Sequence, residues 1–311
     1  MTTSSLDSLI AEESKITPFP AAAAMVEHLK QTYGRGTQAI VFYGSCLRLG
    51  TDKDLMLDFY VLVEALRPAL NSAVSATFGT ILPPNVYYHE CDFEGRVVRA
   101  KVAVMTLGAF IRGTSETTFA SALWARFAQP AGLVYAATAG ARTAVEKALA
   151  RAVRTLLSKT VPLMGGPFEV EDLWITAFRA TYKSELRPEP DSKADQLVDL
   201  QKDRFIRIGQ AALRDLNIDA AAERQAPSEM PWGWPWGWPW DWRLRRWWGR
   251  FLNAARLIKA AFTFKGGLDY AVWKIERHSG VKIELTDRER ATPVRTGLRL
   301  LLKTKRQGGL N

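Results

Sequence analysis

The chain has 311 residues, 47% hydrophobic and 24% charged, with two cysteines, three histidines and a net charge of +10. That composition suits a soluble globular protein with ample core, and no apolar run approaches the roughly 20 residues of a membrane span. Two cysteines and scattered histidines speak against a disulfide framework or a zinc site and for a reduced compartment.

The charge is unevenly placed. From Arg243 onward there are 17 Lys and Arg against 5 Asp and Glu, leaving 25 basic and 27 acidic residues before it. The basic character therefore belongs to the C-terminal portion and points there to a polyanionic partner, anionic lipid or nucleic acid. At the other end, Met1 to Glu13 has neither the cationic and apolar regions of a secretory signal nor the arginines of a mitochondrial presequence. The expected place is thus a bacterial cytoplasm, peripheral on the inner face of the cell membrane, rather than a mitochondrion.

In chain order, an irregular leader ends at Pro18 to Pro20. A helix over Ala21 to Tyr33 is stopped by Gly34 and Gly36. Gln38 to Tyr43 and Met56 to Val63 read as apolar strands, and Pro68 opens a helix through Ala76. Val86 to Cys91 and Arg96 to Met105 predict a hairpin turning at Phe93 to Gly95. Its second strand alternates Arg96, Arg99 and Lys101 with apolar residues, which implies one face in the core and one face showing cations. Helices are expected over Thr117–Ala128, Arg142–Val161, Val170–Arg187, Ala194–Leu216, Arg243–Thr263, Leu268–His278 and Arg288–Lys303. The expectation is α+β: a mixed-sheet domain with helices over 1–137, then a mainly helical C-terminal part. That part divides into a helical domain over 138–223, an insert over 224–242 and a basic helical region over 243–311.

The insert is unusual. Residues 231–250 hold eight of the eleven tryptophans: Trp232, Trp234, Trp236, Trp238, Trp240, Trp242, Trp247 and Trp248. Pro and Gly spacing forbids a regular helix or ladder through Trp240. Trp favours the bilayer interface, and a basic amphipathic helix beside it favours anionic lipid, so these eight are candidates for membrane contact. A tryptophan box in the protein's own core and stacking on single-stranded nucleic acid are the alternatives; nucleic acid is not expected.

The chemistry-bearing stretch runs from Val41 to Val63. Strand, Gly44-Ser45 turn, a polar loop with Asp52 and Asp54, and a second strand carrying Asp58 follow one another. Nucleotidyltransferases open their active site this way: turn amides cradle triphosphate oxygens, and a carboxylate holds Mg²⁺ against them. An aspartate inside a strand of Leu, Phe, Tyr and Val is poorly explained by folding alone, because burying an ionised carboxylate is costly. Met56 stands where an Asp-x-Asp pair would have its first acid, so Asp54, or less readily Asp52, must reach in from the loop. The third strand offers no acid; Glu90 and Asp92 on its partner are the substitutes.

Tyr43-Gly-Ser45, Met56-Leu-Asp58-Phe, Val86-Tyr-Tyr-His89 and Gly95-Arg-Val-Val-Arg-Ala-Lys-Val resemble the mitochondrial-type CTP:phosphatidate cytidylyltransferase family. Ala125 to Pro130, Thr181 to Arg187 and Lys259 to Gly266 resemble further elements of it, collinear to about residue 275. The resemblance implies an enzyme that joins CMP from CTP to phosphatidate with Mg²⁺. It assigns Ser45 and Asp58 to catalysis, and Gly44, Ser45, Lys183 and Arg187 to the nucleotide. Asp58 and Asp54 fall to the metal, and Lys101, Arg256, Lys259 and Lys265 to the lipid phosphate. A nucleotidyltransferase acting on a non-lipid acceptor, and a non-catalytic membrane-binding protein on a degenerate scaffold, are the alternatives.

Overall fold

The computed structural model describes residues 4–53, 55–70, 72–184, 192–221 and 239–263, with backbone alone for 239–241, 253–254, 257–258 and 260–263. The elements are α1 (Leu6–Ser14), α2 (Pro20–Tyr33), β1 (Thr37–Tyr43), α3 (Ser45–Leu49), β2 (Leu57–Val63), α4 (Leu66–Leu70), α5 (Ala73–Ile81), β3 (Asn85–Phe93) and β4 (Arg96–Thr106). They continue with α6 (Leu107–Gly113), α7 (Ala122–Phe127), β5 (Ala131–Ala136), α8 (Ala139–Thr160), α9 (Val170–Tyr182), α10 (Ser192–Asp199), α11 (Lys202–Asp215) and α12 (Pro239–Thr263). Among the described residues, no helix is long and apolar enough to cross a membrane.

The fold is α+β, as expected. Five strands form one mixed sheet in the order β3-β4-β2-β1-β5. Only the β2–β4 pairing is parallel; β1–β2, β1–β5 and β3–β4 are antiparallel. β1 and β2 are apolar along nearly their whole length because helices cover both faces of the sheet's centre. On one face, Phe42, Phe59, Val61, Val102 and Val104 meet Met25, Val26 and Leu29 of α2. On the other, Val41, Tyr60, Leu62, Ala103 and Met105 share a core with α1, α7, α8, α9 and α11. Helices 139–215 therefore have no core separate from the sheet's.

Local chemistry sets the ends. Pro20 occupies the first turn of α2, where its missing N–H costs nothing, and Gly34 ends the helix at φ +68. Four elements, α1, α3, α6 and β5, lie outside the expected set. The leader holds α1, capped by Ser5 Oγ accepting from Ser8 N, and it buries Leu6, Ile10 and Ser14 at four-residue spacing. β5 adds a short edge strand beside β1. The helix expected over Thr117–Ala128 begins only at Ala122. Ahead of it, Thr118 Oγ1 donates to Arg112 O, and Ser115 Oγ accepts from Thr117 N, so these side chains hold the backbone in turns. The segment expected as one helix over Ala194–Leu216 is two, α10 and α11, with Gln201 between them at φ −137.

α12 runs across the molecule as a strap. Trp242 Nε1 donates to Lys159 O at 3.0 Å, at the end of α8, and its ring meets Trp124 edge-on at 6.0 Å. Arg245, 1% exposed, donates to Phe119 O and covers the Phe119 ring at 4.4 Å. Gly249 passes so close to α9 that a Cβ there would lie 2.3 Å from Ser184 O. Arg256 has its Nε buried. Lys259 Nζ donates to Leu82 O, Pro84 O and Asn85 Oδ1 at 2.5, 2.7 and 3.1 Å. These five inward residues follow one another at steps of three, four, seven and three, the spacing of one helix face.

Candidate functional site

The site is built where β1 ends and β2 begins. Gly44 adopts φ +88, a conformation open to glycine, and starts α3 immediately after β1. A Cβ on Gly44 would lie 2.7 Å from Asp58 Oδ2 and 3.2 Å from Asp58 Cβ. The carboxylate therefore lies directly against the Gly44-Ser45 turn, and the absence of a side chain is what admits it. Strand register supplies the neighbours. Asp58 pairs with Tyr43 on one side and Lys101 on the other, and Lys101 pairs with Tyr88. Tyr43, Asp58, Lys101 and Tyr88 thus form one row across four strands. They belong to the face that also carries Val41 and Tyr60 further along, because residues two apart share a side.

Lys101 is half-buried, and one step along the hairpin Arg99 Nε donates to Glu90 Oε1 at 3.1 Å, with Tyr88 Oη donating to the same oxygen at 2.5 Å. Arg99 and Lys101 share the cationic face expected for β4, whereas Arg96 has the parity of Val98, Ala100 and Val102, which line the opposite core. Glu90 is committed to this pairing. Asp52 is likewise taken up by Arg96, whose Nη1 and Nη2 reach it at 2.6 and 3.1 Å, tying the loop after α3 to the start of β4.

Three residues join the site that were not among the expected site residues, although Arg126 and Tyr182 lie inside the matched stretches 125–130 and 181–187. Arg48 stands one helical turn beyond Gly44 and is half-buried. Burial lowers its pKa below the ordinary guanidinium value, while Tyr182, Asp58 and Cys46 oppose that shift. Asp58 and Tyr182 are thus near enough for their charges to act on the Arg48 guanidinium. The four-residue spacing from Gly44 was the available signal. Arg126, at the end of α7, donates from Nη1 to Tyr60 Oη at 2.9 Å and covers the Tyr43 ring at 5.6 Å. Tyr182 closes the last turn of α9, next to Lys183. Cys46 supplies no nucleophile: it is fully buried, its thiol donates to Met56 O at 3.1 Å, and burial with the nearby Asp58 and Asp52 pushes its pKa up to about 12.

The remaining expected residues divide three ways. Lys183 caps α9 and is exposed. Asp54, Arg187, Lys265, Trp232, Trp234, Trp236 and Trp238 lie outside the described residues, as do the helices expected over Leu268–His278 and Arg288–Lys303, and the Trp240 side chain is not described. Trp242 and Lys259 lie away from any outward surface. Trp242 is 4% exposed, its N–H satisfied inside the core, so it does not reach a membrane. Lys259 is 6% exposed with its ammonium on three oxygens, and burial with the neighbouring Arg256 lowers its pKa to about 8. That arrangement holds α12 on the loop before β3, leaving Lys101 and Arg256 as described candidates for an acceptor phosphate.

α12 shows a different face outward. Leu244, Trp247, Trp248 and Phe251 are exposed, with Trp247 at 64%, and Trp247 and Phe251 stack at 6.1 Å with ring planes 8° apart. Arg243 and Arg250 are exposed beside them.

A divalent cation fits the donors present. Among the described residues no three His, Cys, Asp or Glu converge to cage an ion. Mg²⁺ instead keeps several waters and is held by one or two carboxylates together with substrate phosphates. A single carboxylate packed against the turn meets that requirement, and Asp58 is the residue that would hold the ion.

No protein-family profile matches the chain, and no curated protein does. Among solved structures, the chain is similar to a nucleotidyltransferase-like protein from Exiguobacterium sibiricum 255-15, with 11% identity over 93% of this chain and 91% of that one. The TM-score is 0.27, too low for the superposition to bear on the site.

Proposed function

We infer that the chain is a nucleotidyltransferase, and that its reaction joins CMP from CTP to phosphatidate at a membrane surface. The observation that carries the first part is the Asp58 carboxylate against the Gly44 turn, where a Cβ would meet Oδ2 at 2.7 Å. A carboxylate at the edge of an apolar core is costly to place, and phosphoryl-transfer chemistry gives it a use. CTP and phosphatidate rest on the sequence resemblance, and the charge of the site suits two anionic substrates.

Bound Mg²⁺ would supply neutralisation of the triphosphate and Lewis-acid polarisation at its α-phosphorus. Asp58 would hold it, and the Gly44 and Ser45 amides would receive phosphate oxygens. Arg48 stands on the same turn, placed to take charge that builds on the leaving group. Phosphatidate's phosphate is already ionised at neutral pH, so no side chain need act as base. One of its oxygens bonds to the α-phosphorus, the α–β bridging P–O bond breaks, and pyrophosphate leaves with that electron pair. Lys101, next to Asp58 across the ladder, would steady the incoming phosphate. Alignment and charge neutralisation then do most of the catalysis.

The outward face of α12 supports a lipid acceptor. Exposed Trp247, Trp248, Phe251 and Leu244 beside Arg243 and Arg250 have the composition of an interfacial helix. In the decisive assay the purified chain is given Mg²⁺, phosphatidate vesicles and each of the four nucleoside triphosphates in turn. CDP-diacylglycerol formed from CTP alone is the expected product. Nucleotide transfer without lipid would select a non-lipid acceptor, and folded protein that transfers nothing would overturn the assignment.

A further inference from the structure

The sheet face opposite Asp58 holds a second cluster of chemistry-bearing side chains. Two of the chain's three histidines, distant in sequence, meet there. His89 lies on edge strand β3 and His28 on α2, which packs against that face. His89 Nδ1 and His28 Nε2 are 3.4 Å apart, and the two rings stand nearly edge-to-face, 69° apart, at 5.6 Å. The other ring nitrogen of His89, Nε2, is 2.9 Å from Tyr33 Oη, which lies about one and a half turns along α2 from His28.

Two features set this pair apart from an ordinary histidine contact. The first is the distance. A nitrogen–nitrogen separation of 3.4 Å is long for a hydrogen bond, whose usual range ends near 3.2 Å. Two imidazoles on one tetrahedral Zn²⁺, with bonds of about 2.0–2.1 Å, hold their donor atoms about 3.3–3.4 Å apart. The second feature is the tyrosine. Metal-ligating histidines characteristically donate their remote ring N–H to an oxygen, which fixes the tautomer and aims the other nitrogen's lone pair at the ion. Tyr33 Oη lies 2.9 Å from Nε2, and in the tautomer that protonates Nε2 it accepts that hydrogen, so that the Nδ1 lone pair faces His28. Tyr33 is itself 7% exposed, so its hydroxyl is held in place by packing.

We propose that His28 and His89 form a two-histidine site for a borderline-soft divalent cation, Zn²⁺ being the representative, with Tyr33 as the residue that orients His89. Water completes the coordination sphere, since no third His, Cys, Asp or Glu among the described residues converges on the pair. A bound ion pins edge strand β3 to α2. The effect reaches Tyr88, the next residue along β3, which points to the opposite face and pairs with Lys101. The site is independent of the nucleotidyl-transfer assignment.

The test is calorimetric titration of the full chain with ZnCl₂, with amide hydrogen exchange over β3 as the second readout. The expected result is one saturable site that slows exchange of the β3 amides. His28→Ala and His89→Ala each weaken binding at least tenfold, and Tyr33→Phe, which keeps both ligands, weakens it about tenfold. Asp58→Asn leaves the titration unchanged, which separates this site from the one on the other face. His89→Ala removes a partly buried side chain from a strand. If that variant fails to fold, His28→Ala, on a helix where alanine is favoured, is the deciding measurement. No saturable binding by the native chain, or undiminished binding by folded His28→Ala, overturns the proposal and leaves the pair as a long imidazole contact.

Discussion

The strand-borne half of the candidate site is fixed by register, whereas the helix-borne half is fixed by docking. Tyr43, Asp58, Lys101 and Tyr88 sit side by side because four strands pair in one alignment, and a slip of one residue would turn Asp58 to the opposite core. Tyr182 comes near Arg48 because α9 packs on α8 and α11, and α12 crosses the end of α9 at Gly249. The difference teaches where robustness lies. Perturbing the strands should change chemistry with the fold intact, and perturbing the strap should change stability first and chemistry second.

The largest expected effect is on the first side of that comparison. Asp58→Asn keeps size and shape but removes the charge that would face the metal and Arg48. Turnover in the CTP and phosphatidate assay should fall by about 10²–10³-fold or more, the scale of losing one preorganised electrostatic element. The melting temperature should hold or rise, because a charge next to an apolar core is no longer desolvated. A variant of native activity would refute the metal assignment.

Gly44→Ala comes next, because two costs coincide at one atom. The residue must hold φ +88, and its new Cβ would meet Asp58 Oδ2 at 2.7 Å. About 1–3 kcal/mol of stability should be lost, with activity falling alongside as the carboxylate is displaced. Denaturant unfolding together with the kinetic assay separates this double loss from the purely chemical loss of Asp58→Asn. Native values for both would mean that the turn does not seat the carboxylate.

These two positions were legible in the sequence because their signal is local. Strand, turn, spacing and one misplaced acid lie within twenty-odd residues, and the alternation of β4 announces its cationic face. What was not legible depends on distant partners. The parallel pairing that sets Lys101 beside Asp58 has no local mark. Arg48 reads as a solvated helix cation, yet the fold half-buries it. α1 carried its signal in Leu6, Ile10 and Ser14, but a nine-residue helix is marginal without the α8 surface that it covers. On α12, the density of tryptophan and arginine hid the more useful pattern. Trp242, Arg245, Gly249, Arg256 and Lys259 share a face and turn inward, whereas Leu244, Trp247, Trp248 and Phe251 turn outward. Composition alone grouped Trp242 with Trp247, yet less than half a helical turn of rotation separates a core residue from a surface one.

On the docking side, Lys259→Met should be the more costly change. The methionine fills the space, but Leu82 O, Pro84 O and Asn85 Oδ1 lose their donor in a buried setting. Leaving such groups unmet costs about 1–3 kcal/mol, part of it offset because the ammonium need no longer be desolvated. A net loss of about 2 kcal/mol is expected in chemical denaturation, with the kcat of the remaining folded protein close to native. A large fall in kcat without loss of stability would instead make Lys259 a ligand for substrate.

Gly249→Ala is the smallest change and the most discriminating, because its sign is in question. Inside a helix, alanine is favoured over glycine by about 1 kcal/mol, so an α12 free of the body would be stabilised. Here the added methyl would lie 2.3 Å from Ser184 O, a backbone atom at the end of α9 that cannot swing aside as a side chain would. Either α12 or the end of α9 must shift, at a cost that exceeds the propensity gain, so a net loss of about 1 kcal/mol is expected. Because Ser184 adjoins Lys183, the shift should also raise the KM for nucleotide a few-fold while leaving kcat nearly unchanged. A rise in stability would mean that α12 does not rest on the end of α9, and the strap would then have no part in placing Tyr182.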